Sequence, residues 1–349
     1  MSDNKKLVPV CIIYVDGVRL NTDCEGAFRS VKVFDLLNKI SECSIVFDWQ
    51  DLGDENAKTF SFNASLSVHL GYKDDMNEVF SGEITAQKIY HSEHGSSLYI
   101  VTASSLLQQL NHAKHKRTFE NKTPSQAIND ILSQYDLQVD CDSFGPSKPY
   151  WEGGAQTDWK LILNLAKRYG KDIYAFGDKV FVKEHMTMHQ EEIIYELGKS
   201  LIDFQVKEDI EKAAGSIQVI GWDITKAKGF KTAKSVGDVE QKIGGNSPWT
   251  DLVKSGKDWV HNVFDHSLAD EDEAGELALG LMREQSFNYM RAEGSGEGNA
   301  KLAAGATVTM KYVGEAYSGE YIAESVIHDF SLESGYITGF HLKRNMLDN

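Results

Sequence analysis

Two stretches far apart in this chain say nearly the same thing. One reads Phe80-Ser-Gly-Glu-Ile-Thr-Ala-Gln-Lys-Ile-Tyr-His91, the other Tyr317-Ser-Gly-Glu-Tyr-Ile-Ala-Glu-Ser-Val-Ile-His328. Ser, Gly, Glu, Ala and His recur at the same offsets, and an aromatic residue opens both. The segments before them agree as well. Ala64-Ser-Leu-Ser-Val-His-Leu-Gly-Tyr72 and Ala306-Thr-Val-Thr-Met-Lys-Tyr-Val-Gly314 alternate apolar and polar residues, the period of a half-buried strand. Strand, polar excursion, aromatic-Ser-Gly corner and second strand form one supersecondary unit. Its recurrence near both ends predicts two related β-domains in one chain. Gly82 and Gly319 take a structural role in this reading, at a corner or a close backbone approach.

A chain of 349 residues is long for one core, and two or three domains are expected. No apolar run of eighteen residues offers a membrane span, and Met1 to Lys6 lead into a strand pattern without a signal-peptide core. Cys11, Cys24, Cys43 and Cys141 form no CxxC pair and read as reduced thiols of a protein made in the cytoplasm. The formal net charge of -16 argues against a nucleic-acid-binding face, which needs clustered cations. The basic stretches 112–117 and 226–231 read as solvated surface.

Residues 1–105 carry about six strands and no long helix. Val8–Val15 and Val18–Leu20 flank the turn signal Asp16-Gly17, and further strands fall at 44–49, 64–70, 79–90 and 97–103. This pattern predicts an antiparallel barrel or sandwich. Residues 106–200 read as a small α/β unit. Thr123-Pro124 opens one helix. Thr157 caps a second, with Trp159, Ile162, Leu163, Ala166 and Tyr169 on one stripe and Gly170 as its stop. A hairpin at 172–182 follows. Residues 201–349 read as the second β-domain, with an excursion at about 225–298. Within that excursion Thr225–Gly245 is expected to be a mobile loop and 248–292 to be helical, with Asp270–Glu273 at a helix N-terminus. Gly294-Ser-Gly-Glu-Gly298 is expected to be a flexible connector. Strands at 305–313, 317–330 and 335–344 close the chain.

No chemistry stands out. The pairs His185/His189, His91/His94 and His112/His115 lack a third ligand in a metal pattern. Asp270–Asp272 fails as a calcium loop, because Ala274 and Leu281 stand where oxygen ligands are needed. There is no P-loop, GxSxG elbow or HExxH, and Gly294–Gly298 lacks dinucleotide spacing. No catalytic, cofactor or metal residue is assigned.

The chain resembles the baseplate hub family of contractile tails, which comprises phage late-control D proteins, tailocin hubs and the hub region of VgrG spike proteins. Three places carry the resemblance: Leu70-Gly-Tyr72 with Val79-Phe-Ser-Gly-Glu-Ile84; Asp158-Trp159, Leu161, Leu165-Ala166 and Gly170–Tyr174; and Leu302–Val308, Tyr317-Ser-Gly-Glu-Tyr321, His328 and Gly335–Phe340. The motif residues are therefore Phe80, Gly82, Glu83, Trp159, Gly170, Tyr317, Gly319, Glu320 and Tyr336. The resemblance implies two tube-like β-barrels per subunit and a homotrimer whose six barrels dock on a hexameric tail-tube protein. A trimeric spike and other baseplate proteins would complete the assembly, inside a phage tail or tail-like particle. The family's downstream spike region is missing after Asn349, so the spike is a separate chain or lies outside this sequence. In a conducting tail part of the acidic excess is expected to line the channel, where like charge repels a passing polyanion. The alternatives are a β-rich adhesin or carbohydrate-binding protein, using aromatics such as Trp151 and Trp249, and a tail-borne hydrolase.

Overall fold

The computed structural model describes residues 8–73, 75–93, 95–184, 192–211, 213–223, 226–252, 259–265, 267–268 and 270–347. The protein is mainly antiparallel β with a few helices. Twelve strands make up its frame. In the first half these are β1 (Pro9–Val15), β2 (Phe28–Leu36), β3 (Glu42–Asp48), β4 (Ser65–Tyr72), β5 (Asp75–Tyr90) and β6 (Leu98–Ser104). In the second half they are β7 (Ile193–Glu196), β8 (Leu201–Glu208), β9 (Met290–Glu297), β10 (Thr307–Lys311), β11 (Gly319–Ser331) and β12 (Gly335–Arg344).

The halves share one topology. The first half is ordered β2-β3-β6-β5-β4-β1 and the second β8-β9-β12-β11-β10-β7. Each strand thus has a counterpart six places later, and the two similar stretches become the hairpins β4–β5 and β10–β11. One pairing differs: β1 runs antiparallel to β4, whereas β7 runs parallel to β10. The halves are joined edge to edge. Residues 325–331 of β11 pair with residues 30–36 of β2. With the short hairpin leg Val18–Arg19, this makes one 13-stranded sheet. The turn between that leg and β1 has Asp16 and Gly17 at φ 49° and 74°, the mirror-image turn that an Asp-Gly pair favours.

Alternation gives each half its own core. Val31 and Val33 from β2, Ile45 and Phe47 from β3, Leu66 and Val68 from β4 and Val101 from β6 pack with Phe80 and Ile84 of β5. In the second half Tyr195, Leu201, Val308, Met310, Tyr321 and Phe340 do the same work. Phe330 and Tyr336, at the far end of the β11–β12 hairpin, belong to the first core and not the second. Burial of this kind contributes roughly 1.5–3 kcal/mol for each large apolar side chain.

Two insertions decorate the frame. Between the halves, α1 (Pro124–Leu132) is closed by a reciprocal Thr123–Gln126 capping box, and α2 (Asp158–Arg168) begins at the Thr157 cap. They pack with a three-stranded sheet, Asp172–Phe176, Lys179–Lys183 and Gln138–Cys141, and a two-stranded one, Lys114–Lys122 with Lys148–Thr157. Between β8 and β9, the strands Ser216–Asp223, Lys228–Ser235 and Val260–Phe264 support α3 (Glu271–Ser286), capped by the Asp270 side chain.

Several expectations need correction. Thr225–Gly245 is not a mobile loop, because Lys228–Ser235 pairs along the whole of Ser216–Asp223. The stretch 248–292 is not all helix: Val260–Phe264 is a strand, and β9 begins at Met290. Gly294–Gly298 is no connector, since Gly294 and Gly296 lie inside β9. A Cβ on Gly294 would overlap the Asp203 carbonyl oxygen, and one on Gly296 the Tyr195 ring. The glycines serve close approach, not flexibility. Strand β2 and the short helices Thr22–Ala27 and Trp49–Ala57 were not expected. His185, His189 and His94 lie outside the described residues.

Candidate functional site

The repeated motif gives two unlike corners. Gly82 sits inside the continuous strand β5, opposite Leu66, and Glu83 stands opposite Ser65. The expected corner at this copy is therefore a tight strand crossing. A Cβ on Gly82 would overlap the Ser104 carbonyl oxygen, and Phe80 beside it is buried. The Glu83 carboxylate accepts a hydrogen bond from Gln108 Nε2 at 3.3 Å. Gly319, by contrast, opens β11 at φ 122°, opposite Met310, with exposed Glu320 opposite Thr309. Here the corner is real. Tyr317 and Ser318 precede the strand, the Tyr321 hydroxyl donates to the Tyr317 carbonyl at 2.7 Å, and the Ser318 hydroxyl donates to the Gly314 carbonyl at 2.7 Å. Arg344, 1% exposed, holds the corner from below. Its guanidinium donates to the Ser318 carbonyl at 3.2 Å and to the Ala316 carbonyl, and lies 4.9 Å from the Tyr321 ring.

The other motif residues are scaffold. Trp159 lies in the core of the first insertion. Gly170 ends α2 at φ 64° and touches α3: a Cβ on Gly280 would come 2.6 Å from the Gly170 nitrogen. Tyr336 is buried, and its hydroxyl lies 2.7 Å from His328 Nδ1. The structure does not bring these residues together into one site. Trp249, which an adhesin would need on its surface, is 0% exposed and stacked on Tyr289.

A buried carboxylate marks where the modules meet. Asp35 of β2 accepts hydrogen bonds from the Ala304 backbone N–H at 2.8 Å, the Tyr174 hydroxyl at 3.2 Å and the Ser41 hydroxyl at 3.2 Å. Those partners come from the second half, the first insertion and the first half. Burial pushes its pKa up to about 6 against these hydrogen bonds. The sequence did carry a signal, because Val31, Val33 and Asp35 share one face of β2, so an acid sits where an apolar residue belongs. Asp158, buried at the start of α2, goes the other way. Burial alone would raise it, but Arg117, Tyr135 and His115 hold it at about 2.

His328 and Asp35 set opposing pH responses. Burial lowers the His328 pKa from 6.5 to about 4, so its contribution is complete above 6.5 and is lost as pH falls through about 4. Asp35 is raised from 3.8, so its contribution is complete below 3.8 and is lost as pH rises through about 6. Each is worth on the order of 3 kcal/mol. Urea midpoints at pH 7 and pH 4.5 check this. Asp35→Asn should steepen the loss on acidification and His328→Gln should reverse it; unchanged slopes in both variants would refute the assignment.

The last six residues of β5, Thr85 to Tyr90, are all exposed, with Ile89 46% and Tyr90 50% exposed. No group of three metal-ligating side chains occurs among the described residues. No helix among them is long and apolar enough to cross a membrane.

This frame is found in phage tail proteins. The 43 kDa tail protein of prophage MuSo2 from Shewanella oneidensis superposes with a TM-score of 0.71 at 10% identity, over 97% of this chain and 100% of that one. The tail protein of Neisseria meningitidis MC58 gives 0.70 at 12% identity, over 97% of each chain. The E. coli c3393 protein, a type VI secretion system component with structural similarity to T4 tail proteins gp27 and gp5, gives 0.61 at 10% identity, over 95% of this chain and 76% of that one. No curated protein sequence matches. The chain belongs to the Alg8 N-terminal domain family, whose model matches residues 5–331.

Proposed function

We propose that this chain is a structural baseplate hub of a contractile tail or injection system. The observation that carries this reading is the identical strand order of the two halves. Three such chains supply six similar six-stranded units, which can face a hexameric tail tube on one side while the trimer itself faces a trimeric spike on the other. Ring closure needs a heterologous contact, with one half of each chain meeting the other half of its neighbour. The segments 64–90 and 305–330 are the proposed contact strands, and the exposed end of β5, with Ile89 and Tyr90, suits such a contact. The role is assembly, not catalysis, and the net charge of -16 suits a channel wall that does not retain polyanions.

Mass by light scattering tests the reading, alone and with the spike protein. A trimer in either condition is expected. Monomer or dimer in both would overturn it.

A further inference from the structure

A cleft of about 500 Å³ opens where β2, the end of α2, α3 and the strands β11 and β12 converge. Lys343 of β12 lines it and is only 8% exposed. Its ammonium lies 5.0 Å from the centre of the Phe287 ring, and it makes no ion pair among the described residues. Arg283, 5% exposed, stands on the same wall and donates to Asp172 at 2.8 Å and to Gln241 Oε1 at 2.8 Å. Asp172 also accepts from Asn38 at 2.6 Å. Burial would raise the Asp172 pKa, but the charges of Lys343 and Arg283 outweigh it and hold the carboxyl below its usual range.

Two cations therefore share one carboxylate. One positive charge is left without a partner in a place largely withdrawn from water, where an uncompensated charge is costly. The carboxylates at the rim are engaged elsewhere: Glu324 with Arg291 at 2.7 Å and Glu284 with Lys167 at 3.9 Å. The remaining walls include Phe34 and Ile327. The volume is that of a small-molecule pocket, and its sign is opposite to that of the chain as a whole.

We propose that this cleft binds an organic carboxylate with an apolar body. The oxyanion seats against Lys343 and Arg283, and the body lies against Phe34, Phe287 and Ile327. Lys39, at the exposed rim, stays solvated, so the one residual charge withdrawn from water is that of Lys343, which matches a monoanion better than a phosphate dianion. The carboxylate can belong to a free small molecule or to an acidic side chain on a peptide.

Isothermal titration of the full chain tests this without any assembly partner, so its outcome is separate from that of the hub reading. The probes are benzoate, inorganic phosphate and a capped Phe-Glu dipeptide. Saturable binding of benzoate or the dipeptide, tighter than that of phosphate, is expected; the tighter of the two identifies the source. Lys343→Met should weaken it by about ten-fold or more, and Lys343→Arg should keep it within about three-fold. Failure of wild-type protein to bind either carboxylate overturns the proposal even if a variant does not fold. So does phosphate binding as tight as benzoate, or equal binding by Lys343→Met.

Discussion

Gly82→Val lowers the melting temperature by roughly 5–10 °C, more than Gly319→Val does, if both copies of the motif are as described. The two glycines look equivalent in sequence, and the structure separates them. At Gly82 any side chain meets the Ser104 backbone oxygen of the neighbouring strand. Backbone cannot rotate away, so β5 and β6 must part, at a cost of about 3 kcal/mol or more. At Gly319 the nearest atom to an added Cβ is Arg344 Nη1, at 3.6 Å, and the strain is that of φ 122° alone. That strain is worth about 1–2 kcal/mol. Thermal melts of the two variants decide the matter: equal shifts would remove the distinction, and no shift at Gly82 would remove the crossing itself.

Asp35→Ala should destabilise the protein by about 3 kcal/mol, because it strips the acceptor from a buried backbone N–H and two hydroxyls at once. The effect should be wider than one strand. Asp35 joins β2 to the first insertion through Tyr174 and to the second half through Ala304. Amide exchange should accelerate around residues 172–176 and 302–305 as well as in β2. Asp35→Asn keeps one carbonyl acceptor and should lose less. Acceleration confined to β2 would show that the Leu37–Tyr174–Ala304 cluster and the β2–β11 pairing hold the junction without Asp35.

Much of this architecture was legible because it rests on short-range rules. The Thr123 and Thr157 caps, the Asp16-Gly17 turn and the Asp270 cap are local chemistry, and each lies where the residues put it. The repeat was legible too, since alternation and the Ser-Gly-Glu signature survive in both hairpins. What failed was composition read without context. Gly294 and Gly296 look flexible, but they let β8 and Tyr195 approach β9. The Lys-rich segment 228–235 looks like a solvated loop, yet its backbone completes a sheet under α3. The cluster of Asp172, Arg283 and Lys343 gave no signal at all, because its members are far apart in sequence and meet only through tertiary packing.

The seam between β2 and β11 also has a consequence for synthesis. Residues 30–36 pair with β3 along one side, and their other side is filled by residues 325–331. At ribosomal speeds of about 5–20 residues per second, that partner emerges roughly 15–60 s later. Until then one edge of the first half's sheet is unpaired and its core lacks Phe330 and Tyr336. An open edge recruits whatever strand is nearest, and on a crowded polysome the nearest is the same edge of the next nascent chain. Because this seam closes only when the C-terminal hairpin arrives, yield is expected to fall when synthesis is fast or warm, and co-expressing a chaperone that shields nascent edges is expected to restore it.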